Sequence, residues 1–176
     1  MTDSDTTARS VYIWVGAGTW RAAVDAALRV APVDASFTLL HVTDDDVPDA
    51  AHSAYRGMFG RAGHDPGARL DALATTHAAD LLEAAARRLG RQCDRLSMHG
   101  NTERAVVTAS ASADLLVIAR DGDQTRPGPH SLGRAGRFIV DHAICPVLVV
   151  WPGPAPRDTP GGPRTPGKPD RGRHGL

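Results

Sequence analysis

Two short apolar runs, Leu115–Ala119 and Val147–Val150, constrain this chain more than any other feature. Each is too short for a helix core and has the length of a buried strand. Neither alternates with polar residues, so each reads as a strand covered on both faces, as in a parallel sheet. Between them lie a polar Gly/Pro loop, 120–130, and a segment, 131–143, that reads as a helix with Phe138, Ile139 and Ala143 on one face. Cys145-Pro146 breaks that helix. Strand, loop, helix, strand is one βαβ unit, and its two strands run parallel through a right-handed crossover.

The rest of the chain repeats the pattern. Residues 11–15 (VYIWV) are β-branched and aromatic and read as a first strand. Gly16-Ala17-Gly18 is a tight turn that needs glycine for its dihedrals, and Thr19 is an N-cap. A helix over 21–31 presents Ala22, Ala23, Ala26, Ala27 and Val30, and Pro32 ends it. Residues 36–42 form a second strand. The segment 43–64 reads as an insertion over the strand ends, a candidate lid with a short helix over 50–59. Asp65 and Pro66 are N-cap and first helical residue of a long helix ending at Leu89, with Leu70, Leu73, His77, Leu81, Ala85 and Leu89 as its buried stripe. Gly90 stops it. Residues 93–98 are half-polar, as an edge strand should be. Thr102 caps a short helix, 103–111, which leads back to Leu115.

The expected architecture is an α/β domain over 11–151: an open five-stranded parallel sheet with helices on both faces. Residues 1–10 read as disordered. Residues 152–176 read as a disordered, solvated tail, because seven of the chain's 13 prolines fall there with little apolar surface to bury.

Composition narrows the chemistry. The formal net charge is zero, which gives no global case for nucleic acid or an acidic membrane. Lys168 is the only lysine and lies in the tail, so the folded part has neither a P-loop lysine nor a Schiff-base lysine. Glu83 and Glu103 are the only glutamates. Cys93 and Cys145 are isolated, no signal peptide is visible, and no segment reaches the length of a membrane span, so the expectation is a reduced cytoplasmic protein. No HExxH, GxSxG or zinc-ligand cluster occurs. The acidic run Asp44-Asp45-Asp46, near His52 and His64, reads as a solvated loop rather than a metal site. His142 follows Asp141, but neighbours on a helix do not face each other, so His142 reads as a cap on the last helical carbonyls. No catalytic residue is assigned. Arg134 and Arg137, in the first turns of the last helix, could attract an anion with Arg120 and Arg126.

The stretch ADLLVIA…LG…FIVDHAICPVLVV resembles the C-terminal half of the universal stress protein family, and the likeness extends over 11–151. The resemblance implies the strand order 3-2-1-4-5, where alternation alone also permits 2-1-3-4-5. It implies an adenine nucleotide alpha hydrolase-like fold with a ligand crevice at the carboxyl ends of the strands, where Gly16, Val42, His99 and Arg120 lie. In the family a strand ending in Gly enters a G-x-x-G-x9-G-(S/T) loop that cradles the phosphates of ATP. Here Ala119 stands for the first Gly, Gly122 fits the second and Gly133 fits the third after ten residues rather than nine. Arg134 stands for the Ser or Thr, and Gly16 for an Asp that contacts adenine.

The candidate cofactor-binding residues are therefore Gly16, Val42, Ala119, Gly122, Gly133 and Arg134, with ATP the only cofactor suggested. The departures point to a regulatory or binding protein of the stress response that holds ATP weakly or not at all. Two alternatives stay open: an ATP-binding protein with weak ATPase or ATP-gated signalling, and a small α/β enzyme acting on an anionic substrate. The resemblance also implies a homodimer through the last strand, with Trp151 as an anchor. Any further protein partner is unknown.

Overall fold

The computed structural model describes residues 9–44, 66–125 and 127–154, with the side chains of 66–71 and 129 left aside. The lid over 43–64, including the helix over 50–59 and the Asp65 cap, lies outside these residues apart from Thr43 and Asp44. So do the N-terminal segment up to residue 8 and the tail from residue 155.

Period-2 alternation sorts each strand's side chains between two faces. The strands are β1 (Ser10–Trp14), β2 (Ser36–Thr43), β3 (Asp94–His99), β4 (Leu115–Ala119) and β5 (Val147–Val150). All pair in parallel, in the order β3-β2-β1-β4-β5. That is the order implied by the resemblance. Val11 pairs with Phe37 on one side and Leu115 on the other, and Leu116 with Val147. Asp114 fastens the start of β1, its Oδ2 accepting from the Ser10 amide at 2.9 Å.

Val11, Ile13, Phe37, Leu39 and Val117 point to the face covered by α1 (Trp20–Val30) and α2 (Pro66–Leu89). Trp14, Leu40, Val42, Leu116 and Ile118 point to the face covered by α3 (Thr102–Ala109) and α4 (Arg134–His142). Ala23, Ala26 and Ala27 on α1 are buried, and such small side chains let the helix lie close to the sheet. Burial of this double-sided core is the main favourable contribution to folding.

Several local expectations shift. The face α2 buries is Ala78, Leu82, Ala85 and Leu89; Leu73 is 67% exposed and His77 is exposed, so the predicted stripe fails in its first half. At His77 the buried face is offset by one residue, to Ala78 and Leu82, and at Leu73 length is the reason. The helix has 24 residues, or about 36 Å, against about 26 Å for the eight-residue β2. Its early turns overhang the sheet. The cap of α3 is Asn101, not Thr102: its side chain accepts from the Arg104 amide at 3.1 Å. The last helix begins at Arg134 rather than 131, because Pro129–Ser131 forms a separate 3-10 turn. β5 is covered on both faces as expected, Leu148 and Val150 packing on one core layer and Val147 and Val149 on the other, but as an edge strand it leaves all four residues half-buried. In the first turn the left-handed backbone falls on Gly18 (φ 80°), not Gly16.

Candidate functional site

The sheet order places β1 beside β4, and the chain leaves these strands toward opposite faces. Such a switch point opens a crevice at the carboxyl ends of the strands. A cavity of about 370 Å³ lies there. The turn after β1 supplies Gly16 and Thr19, and the start of α3 supplies Asn101, Thr102 and Glu103. The loop after β4 and the start of α4 supply Asp121 and Arg134; Trp14 and Asp44 also contribute.

Glu103 is the buried acid of this site, only 8% exposed. Its carboxyl is held below the usual carboxylate range chiefly by its own backbone N–H at the start of α3. Asn101 and the charges of Arg134 and Arg104 act in the same direction, and burial opposes them. Arg134 Nη2 lies 3.5 Å from Glu103 Oε1, but the Arg134 side chain is 90% exposed, so solvent screens the pair.

The loop after β4 closes upon itself. The Gly122 amide donates to the Ser131 carbonyl at 3.0 Å and the Asp123 amide to the His130 carbonyl at 2.8 Å. The Thr125 amide donates to Asp123 Oδ1 at 2.9 Å, and the Ser131 amide to the Gly128 carbonyl at 3.1 Å. The Gly133 amide donates to Asp121 Oδ1 at 2.8 Å. Ser131 is fully buried: its Oγ donates to the Gly128 carbonyl at 2.6 Å and accepts from Arg120 Nη1. The Arg120 guanidinium also lies over the Trp151 ring, 4.9 Å from its centroid. Gly122 is where two chain segments meet. A Cβ there would run into the His130 carbonyl and come within 2.8 Å of the Gly133 nitrogen.

Of the residues singled out in the sequence, Gly16 and Arg134 line the cavity. Gly122 and Gly133 stand behind Asp121 in the folded-back loop. Val42 and Ala119 are buried in the two core layers beneath the crevice. Arg120 turns toward Ser131 and Trp151, and position 126 lies outside the described residues. His142 behaves as a C-terminal cap, with Nδ1 donating to the Phe138 carbonyl at 2.9 Å and its ring stacked on Phe138. Among the described residues no group of three possible metal ligands comes together, and no helix is long and apolar enough to cross a membrane.

Sequence reasoning missed Asp121, Asn101 and Glu103. One signal for Asp121 was present. The last helix has Gly at its N-cap and no acidic residue in its first turn, so its leading amides need an acceptor from elsewhere.

The sequence model of the universal stress protein family matches residues 17–150. No curated protein sequence matches. Among solved structures, the hypothetical protein MJ0577 superposes with a TM-score of 0.64 at 16% identity, covering 82% of this chain and 96% of that one. A universal stress protein in complex with cAMP gives 0.55 at 18%, covering 84% and 99%. A family protein from Arabidopsis thaliana with AMP bound gives 0.52 at 19%, covering 81% and 90%. At these identities the likeness is one of fold.

Proposed function

The chain belongs to the universal stress protein family, and from that premise we propose that it is a regulatory binding protein of the stress response whose switch-point crevice receives a nucleotide but grips a triphosphate weakly. The neighbours solved with cAMP and with AMP support the ligand class. The observation that carries the weak grip is the folded-back loop. The amides of Gly122, Asp123, Ser131 and Gly133 already donate within the chain, so a phosphate would have to displace those acceptors. A good hydrogen bond to a charged group contributes roughly 1.5–3 kcal/mol, so two forgone bonds weaken binding about a hundredfold or more. Titration calorimetry with AMP and with magnesium-ATP tests this. We expect AMP to bind at least as tightly as ATP. A dissociation constant for ATP on the order of 1 μM would overturn the reading.

We also propose that β5 pairs with its counterpart in a second copy. It is an apolar edge strand with four half-buried residues, and half-buried Trp151 follows it. Sedimentation should show a dimer; a monomer at high micromolar concentration would refute the pairing.

A further inference from the structure

Resting on the nucleotide reading of the crevice, we infer that Asp121 is its specificity-determining residue, excluding polyphosphate groups and leaving the cavity to neutral or singly phosphorylated ligands. The carboxylate fills the ground a phosphate would need. Its Oδ1 accepts the Gly133 amide at 2.8 Å. A Cβ placed on Gly133 would stand 2.8 Å from Oδ2, and one on Gly136 would stand 2.6 Å from Oδ1. Asp121 is thus packed against the first turn of α4, where only glycine leaves it room.

The charge around the cavity points the same way. Among the described residues its lining carries the carboxylates of Asp44, Glu103 and Asp121 and one guanidinium, that of Arg134. A polyphosphate entering beside Asp121 would meet like charge at short range, and because Asp121 is exposed, solvent moderates that repulsion without removing it. The cavity volume of about 370 Å³ is in the range of small-molecule sites, so a ligand of modest size is not excluded by space. Exclusion works through charge and through an amide already taken.

Asp121→Asn separates these effects, because it keeps an acceptor for Gly133 while removing the charge. Asp121→Ser, smaller and uncharged, is a second route should the amide perturb folding, and Asp121→Glu is the control that keeps the charge. The full chain and each variant are titrated by calorimetry with adenosine, AMP, magnesium-ATP and inorganic tripolyphosphate, with thermal melting as the check on folding. The inference expects ATP and tripolyphosphate to bind about tenfold tighter or more in the Asn and Ser variants. It expects no such gain in the Glu variant, and adenosine affinity unchanged within about twofold. Unaltered affinity for both polyanions in folded Asn and Ser variants overturns it, as does an equal gain for adenosine. If tripolyphosphate tightens while no adenine compound binds any form, the nucleotide reading falls and the role of Asp121 stands.

Discussion

Two connections meet at the crevice, and they solve the same problem in opposite ways. The turn after β1 spans few residues. Its bonds are short-range, with the amides of Thr19 and Trp20 both donating to the Gly16 carbonyl at 3.2 Å. It hands the chain directly to α1 and leaves Gly16 and Thr19 facing the cavity. The connection after β4 is longer and doubles back before α4 begins, joining Gly122 to Ser131, Asp123 to His130 and Asp121 to Gly133. The short turn bonds within itself, to its own Gly16 carbonyl. The long loop offers a ligand a carboxylate instead of a row of amides. A glycine-bearing loop at a switch point is a phosphate cradle only when its amides are not already engaged.

The contrast is broken most severely at Gly122. Gly122→Ala puts a Cβ against backbone atoms of His130, Leu132 and Gly133, which cannot swing aside as side chains do. Overpacking of this kind costs about 3 kcal/mol, and denaturant unfolding should show a loss of that order. A loss below about 1 kcal/mol would mean that the loop is not folded back as described. Ser131→Ala is the next step down. It removes a fully buried hydroxyl that joins Arg120 to the Gly128 carbonyl; the carbonyl keeps the Ser131 amide, while Arg120 Nη1 loses its acceptor. The expected loss is about 2 kcal/mol. A fluorescence change at Trp151, which lies under Arg120, should accompany it if the clip holds the loop to the end of β5.

These two positions also mark the limit of what the sequence discloses. The five strands and the helices that cover them are legible because apolar spacing writes them directly. The strand order is less so. Alternation permits two orders, and the family likeness, not the periodicity, selects the one found. The buried face of α2 is not legible in the spacing because two stripes one residue apart both carry apolar residues, and the one through Ala78 and Leu82, not the one through His77 and Leu81, turns to the core. Asn101 and Thr102 are adjacent residues of cap type. The choice between them depends on which one has left the helical backbone, and Asn101 has, with ψ at 113°. Gly122, Gly133 and Arg134 could be named from their spacing. The acceptor that Gly133 finds could not, because Asp121 reaches it across a loop whose path depends on Pro127, Gly128 and Pro129. Contacts set by the path of a loop leave no periodic trace.

On the open side of the crevice the expected effects are smaller. Gly18 has the left-handed dihedral of the first turn, with φ at 80°, which glycine adopts freely and alanine does not, and a Cβ there meets nothing within 4 Å. Gly18→Ala therefore costs backbone strain without a clash, about 1 kcal/mol. Melting of this variant beside Gly122→Ala separates strain from collision. If the two losses prove equal, the open turn is as tightly packed as the closed loop and the contrast between them fails.

The smallest effect belongs to Thr19, and it is the most pointed test of the open turn. By residue type and position Thr19 should cap α1, and removing such a cap ordinarily costs about 1 kcal/mol. Here its backbone is already near-helical, with φ −115° and ψ −18°, and its side chain makes no capping bond. Its Oγ1 instead reaches back to the Gly16 carbonyl at a long 3.4 Å, which bends the hydroxyl away from the amides of the helix. Thr19→Ala should thus cost less than ~0.5 kcal/mol, while Asn101→Ala, whose side chain does accept from the Arg104 amide, should cost about 1 kcal/mol. Unfolding of the two variants under one set of conditions compares the caps directly. Equal losses would show that the Thr19 side chain caps α1 in solution. A loss at Asn101 alone leaves the Thr19 hydroxyl on the cavity wall with no capping role in α1.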